Sequence, residues 1–194
     1  MLKRWFIAII ASLVFLVGSV AQDRQNVALD VLYSALSQSC VVLECSYSMT
    51  LPETRVSGEA ELKMQGNAYT MQGNGLSVYC DGETVWTLDM AAREAYIEAS
   101  VVSFNLAELF EVSGVSTAGS GYSYSLEPVA ECGIDSVDMV LTPGGYIRTM
   151  SFYLSDGNRL DLKASSMKIE DKKTVTSFRP EISFGQDWVV TDMR

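Results

Sequence analysis

The chain has 194 residues with 24 acidic side chains, 14 basic ones and no histidine, for a net charge of −10. That excess of negative charge repels phosphate backbones and anionic lipid surfaces, which argues against nucleic acid as a partner. The missing histidine removes every imidazole-based triad, proton relay and metal ligand.

The N-terminal segment reads as an export signal. Lys3 and Arg4 precede an uncharged apolar run from Phe6 to Val17, and Ser19-Val20-Ala21 supplies small residues where a signal peptidase cuts. A signal peptide over 1–21 is expected, with cleavage before Gln22 and a single domain over 22–194. The run is shorter than the roughly 20 residues a membrane span takes. Without the leader, 173 residues remain, and loss of Lys3 and Arg4 takes the net charge to −12. A secreted, periplasmic, soluble protein is the expectation.

Asp23 is a candidate N-cap for an amphipathic helix carrying Val27, Ala28, Val31, Leu32, Ala35 and Leu36 at helical spacing. Cys40 to Leu51 then alternates as a strand until Pro52, with Cys45, Tyr47, Met49 and Leu51 on one face. From Val56 to Glu98 the chain reads as a meander. Val56, Gly58, Ala60, Leu62 and Met64 alternate with Ser57, Glu59, Glu61 and Lys63, and Gln65-Gly66-Asn67 and Asp81-Gly82 supply turns.

Over 102–112 the pattern changes. Asn105 and Glu108 resemble a capping box for a short helix bearing Leu106, Leu109 and Phe110. Gly114 to Gly121 reads as a small-residue loop. Strand patterns resume at Tyr122–Leu126, Ser136–Leu141, Tyr146–Leu154, Arg159–Ala164 and Thr174–Phe178. The expected fold class is mainly β with a helical lid: an incomplete, half-open antiparallel β-barrel of about ten strands covered by two or three helices.

Cys40, Cys45, Cys80 and Cys132 lie in the exported part, where an oxidising compartment favours at least one disulfide; four cysteines allow three pairings and spacing does not choose. Zinc is disfavoured, because no Cys-x-x-Cys pair and no histidine are present. No cofactor is expected. No phosphate loop and no Gly-x-Ser-x-Gly elbow appear. A two-carboxylate hydrolase stays open, since such pairs meet in space, but the expectation is a non-enzyme.

The chain instead carries a surplus of soft and aromatic apolar groups for a small β scaffold. Singly, each is ordinary core. Together they exceed what short helices cover, and methionine with aromatics suits an adaptable apolar cavity. Alternation nominates Tyr47, Met49, Leu62, Met64, Tyr69, Met71 and Phe152 as cavity lining, with Leu106, Leu109 and Phe110 as lid.

The motif Cys80-Asp-Gly-Glu-Thr-Val-Trp86, followed by the Ala95-Tyr-Ile-Glu98 strand, resembles the Ser-Asp-Gly-Lys-Thr-Leu-Trp core of the periplasmic outer-membrane lipoprotein carrier (LolA) family. The Gly58-x-Ala-Glu-Leu-Lys63 hairpin, Phe178-Arg-Pro180 and the closing Trp188–Arg194 follow in the same order. The resemblance implies an unclosed barrel whose lidded concave face carries lipoprotein acyl chains across the periplasm. It adds Trp86 and its neighbours Tyr79 and Leu88 to the candidate lining. Its implied partners are acylated lipoproteins, an inner-membrane lipoprotein-release transporter and an outer-membrane acceptor. The alternative is a periplasmic lipid- or lipoprotein-sensing or protein-binding module on the same scaffold. Where the family often has a lid-locking Arg-Pro pair, this chain has Gln65-Gly66, which carries no charge and fewer donors.

Overall fold

The computed structural model describes residues 27–100, 106–170 and 177–194, without the side chains of 106 and 107. The expected signal peptide, Asp23, Asn105 and residues 174–176 of the expected Thr174–Phe178 strand lie outside the described residues, and the described end of that stretch, Ser177 and Phe178, is not strand.

Helix α1 covers 27–38, as the apolar spacing predicts. The first half of the strands then runs as β1 (Cys40–Thr50), β2 (Arg55–Gln65), β3 (Ala68–Gly73), β4 (Leu76–Cys80), β5 (Thr84–Asp89) and β6 (Glu94–Ala99). A single turn, α2 (Leu106–Leu109), leads into β7 (Phe110–Ala118), β8 (Gly121–Pro128), β9 (Ile134–Leu141), β10 (Ile147–Leu154) and β11 (Arg159–Glu170), and β12 (Val189–Asp192) ends the chain.

All twelve strands belong to one sheet, ordered β12-β6-β5-β4-β3-β2-β1-β11-β10-β9-β8-β7. β12 and β7 are edges, so the sheet is not closed. β1 joins the two meanders by pairing with both β2 and β11. Every pairing is antiparallel except β12 beside β6, which is parallel.

Two expectations change. The stretch read as a loop over Gly114–Gly121 is mostly strand β7, paired with β8. Its small residues hide the alternation of Val115 with Ser116, and a register shift between Val112 and Gly114 breaks the period further. The two- or three-helix lid is also not shown. Among the described residues there is one multi-turn helix and the single turn α2, and Phe110 belongs to β7 rather than to a helix.

The core lies between α1 and one face of the sheet. Ala28, Leu29, Leu32 and Ala35 on the helix cluster with Val41, Leu43, Met64, Tyr124, Met139 and Leu141 from strands β1, β2, β8 and β9, with Tyr69 of β3 and Val115 of β7 at the margins. From β3 to β7 a flat sheet would span roughly 34 Å at about 4.8 Å per strand, against a helix about 10–12 Å wide. One continuous cluster around one helix therefore requires the sheet to curl, with α1 in its hollow.

Candidate functional site

Strand register decides which side chains share the hollow. Directly paired residues point to the same face. Leu43, Leu62, Met71 and Val78 form one row across β1 to β4, and Val41, Met64, Tyr69 and Cys80 form the next. Across β11, β10 and β9 the hollow continues with Leu162, Met150 and Met139, then Leu160, Phe152 and Val137. None of these side chains is charged.

Helix α1 covers only one end of this surface. Along β1, Val41, Leu43 and Cys45 are no more than 3% exposed, while Tyr47 and Met49 are half-buried. On the neighbouring strands Val56, Met71 and Leu76 are 45%, 37% and 43% exposed. The result is a trough that is uncharged from β4 through β1 to β9, bordered by Asp89 of β5 beside Leu76, filled by α1 at one end and open at the other. Of the nominated lining, Tyr47, Met49, Leu62, Met64, Tyr69, Met71 and Phe152 share this face. Phe110 belongs to the buried core around α1, Leu109 packs against it, and the Leu106 side chain lies outside the described residues.

Tyr79, Trp86 and Leu88 do not join them, which corrects the single shared lining expected from the sequence. Tyr79 pairs with Trp86 and with Thr70, in the rows that alternate with the trough. At β5 the buried face switches. Val85, Thr87 and Asp89 follow the trough side, while Trp86 and Leu88 point to the back with Ala95 and Ile97. Leu88 and Ala95 are nonetheless fully buried. The C-terminal segment supplies a cover here: Arg179 lies over Trp86, its neighbours Phe178 and Pro180 are half-buried, and β12 then adds to β6. An ion pair between Arg93 and Asp187 holds the far end of this segment. Sequence reasoning missed this second, smaller core, although Phe178, Pro180, Ile182 and Phe184 alternate with Arg179, Glu181 and Ser183.

The back of the central strands is polar. A depression of about 630 Å³ there is shallow and lined in part by Glu44, Ser46, Glu59, Glu61, Gln72 and Lys163. Glu44 and Glu61 are cross-strand partners, and Lys63 pairs with Glu61 at 3.0 Å. The charged, open lining of this depression suits solvent rather than an apolar ligand. Among the described residues no group of three His, Cys, Asp or Glu is placed to hold a metal.

The turn carrying Gln65 is tied to the helix through the backbone. Gly66 N–H donates to the Leu36 carbonyl at 2.9 Å, while Gln65 Oε1 is buried without a hydrogen-bond partner.

The four cysteines are free thiols, against the expected disulfide. Cys40 and Cys45 lie five residues apart on opposite faces of β1, about 16 Å along an extended strand, beyond the reach of a disulfide. Cys80 lies three strands away from β1, and Cys132 lies between β8 and β9.

No protein-family model matches the sequence, and no curated protein matches it. Among solved structures, the chain shares its fold with an uncharacterized conserved protein from Thermus thermophilus at 14% identity, covering 89% of this chain and 99% of that one with a TM-score of 0.55. Weaker likeness extends to a LolA superfamily protein from Nitrosomonas europaea, at 12% identity over 78% of this chain and 98% of that one, TM-score 0.43. A putative outer membrane lipoprotein-sorting protein domain from Vibrio parahaemolyticus is similar at 9% identity over 78% and 91%, TM-score 0.40.

Proposed function

We propose that this protein is a non-enzymatic periplasmic carrier that shields the acyl chains of lipoproteins in the open part of the trough during transfer toward the outer membrane. The observation that carries this reading is the uncharged face on which Val56, Met71 and Leu76 stay more than a third exposed beside half-buried Tyr47, Met49 and Phe152. A contiguous exposed apolar surface costs solubility and is the kind of surface that ligands or partners cover. The ordered sequence resemblance to the lipoprotein carrier family supports the choice of ligand. An inner-membrane release transporter and an outer-membrane acceptor are the partners such a carrier needs.

An open trough also suits delivery. A triacylated anchor presents roughly 40 methylenes worth about 0.8 kcal/mol each when buried, on the order of 30 kcal/mol in all. Non-covalent affinity saturates near 20 kcal/mol. A carrier that must release its cargo therefore covers part of the chains, as a half-filled hollow would.

The test is displacement of Nile red by a lipopeptide and by the same peptide without acyl chains. Acyl-dependent displacement is expected. Equal displacement by both peptides, or none by either, would remove the carrier reading; selective binding of the bare peptide would favour a protein-binding module.

A further inference from the structure

The β3–β4 hairpin closes through Asn74-Gly75, both at positive φ (49° and 79°), as a two-residue type I′ loop requires. The Asn74 side chain has a second use. Its Nδ2 donates to the Tyr47 hydroxyl at 2.7 Å and to the Ser57 carbonyl at 3.3 Å. To reach Tyr47 on β1 it crosses β2 at Gly58, where a Cβ would stand 2.5 Å from Asn74 Oδ1. Gly73 is equally tight, since a Cβ there would meet the Glu59 carbonyl at 2.5 Å. Two glycines thus let the hairpin tip fold inward over β2, into the trough.

We propose that the Asn74–Tyr47 bridge is the end wall of the trough's β1–β4 half and sets the length of acyl chain it accepts. This rests on the acyl-binding reading above and divides its open surface: Met71 lies on the α1 side of the bridge and takes the chain first, while Met49 and Val56 are reached only when the bridge opens. The floor on the α1 side of the bridge is the row Leu43, Leu62, Met71 and Val78, and Met49 and Val56 lie beyond it. Between the first row and the level of Tyr47 the strands rise about 13 Å. A chain laid along the strands over Leu62 and Met71 runs into an amide hydrogen-bonded to a phenol, which offers it no apolar contact. A longer chain must break that bond to reach Met49 and Val56. The occupant is an acyl chain rather than a headgroup, because the row is uncharged throughout and a headgroup finds no partner in it.

The experiment measures displacement of Nile red by saturated fatty acids from decanoate to stearate. Wild-type affinity is expected to climb with length and then level off. In Asn74→Gly, which keeps a residue suited to the type I′ loop, the climb should continue for about two further methylenes at roughly fourfold in affinity each. Gly58→Ala, which drives the amide out, should do the same, and Tyr47→Phe, which removes only the acceptor oxygen, gives a second readout should the glycine variant unfold. An unchanged length limit in folded Asn74→Gly and Tyr47→Phe would overturn the end wall while leaving acyl binding intact. Failure of every fatty acid to displace the dye from wild type would overturn both.

Discussion

The guanidinium of Arg179 stands 5.9 Å from the centre of the Trp86 ring and donates through Nε to Asp81 Oδ2 at 2.6 Å. One side chain of the C-terminal segment thus touches both ends of the Asp81-to-Trp86 motif. Asp81 is only 12% exposed and also accepts the N–H groups of Glu83 and Thr84. The same carboxylate therefore shapes the turn and anchors the segment that covers the back of β5 and β6.

The anchor predicts an acid-sensitive cover. Burial pushes the Asp81 carboxyl up, but hydrogen bonds from Thr84 and Glu83 and the Arg179 guanidinium outweigh it and hold the pKa below the ordinary value. A group depressed in the folded state adds stability that is complete above its unfolded pKa, about 3.9, and lost as pH falls through the folded value. Tryptophan fluorescence should therefore change below about pH 4, and Arg179→Ala should remove that component. Because Arg179 is 67% exposed, its loss at neutral pH should cost about 1 kcal/mol or less. Identical titrations of wild type and variant would show that the pair does not hold the segment.

The thiols should differ in reactivity. Burial pushes the Cys40 and Cys45 thiols up, and both are nearly inaccessible, as is Cys80, whereas Cys132 is half-buried. A thiol reagent applied to the native protein should label Cys132 first and the other three only on unfolding. Mass spectrometry of labelled peptides checks this; a Cys40–Cys45 crosslinked peptide would contradict the strand.

The turn before β10 should be sensitive to a single methyl group. Gly145 and Gly157 both have positive φ, at 77° and 83°, but a Cβ at Gly145 would lie 2.8 Å from the Ala28 carbonyl and 2.9 Å from Val31 Cγ1, while one at Gly157 meets nothing within 4 Å. Gly157→Ala should cost about 1 kcal/mol for the backbone alone. Gly145→Ala should cost about 1–3 kcal/mol more, because it also displaces α1 from the sheet. Comparison of their denaturation midpoints isolates the helix contact, and equal costs would refute it.

The two faces should separate binding from covering. Met71→Glu places a charge on the exposed floor of the trough, at a cost of several kcal/mol to an apolar ligand laid over it. Dye affinity should fall by at least about tenfold with the circular-dichroism spectrum unchanged. Trp86→Ala should loosen the C-terminal segment and leave dye affinity near wild type, since Trp86 points away from the trough. The opposite pattern would return Trp86 to the ligand-facing surface.

Local chemistry made much of this protein legible. The spacing of Ala28, Leu32 and Ala35 is a helical stripe whatever surrounds it, and the alternation from Val56 to Met64 is a strand with one apolar face. The absence of histidine settled which chemistries to discard. Face assignment was different in kind. Tyr79, Trp86 and Leu88 look as apolar as Tyr69 and Met71, and a period of two sorts residues within one strand without linking the sorting of one strand to the next. Only the register through Tyr69–Cys80 and Tyr79–Trp86 fixes that link, and it sends the second group to the back. The same holds for cover. That Arg179 would fold onto Asp81, or Asn74 onto Tyr47, depends on contacts 98 and 27 residues apart, which no local pattern encodes. The chain's own order therefore specified most strands, though not β7, and the curl of the sheet decided which side holds α1, which holds the C-terminal segment and where an apolar surface is left uncovered.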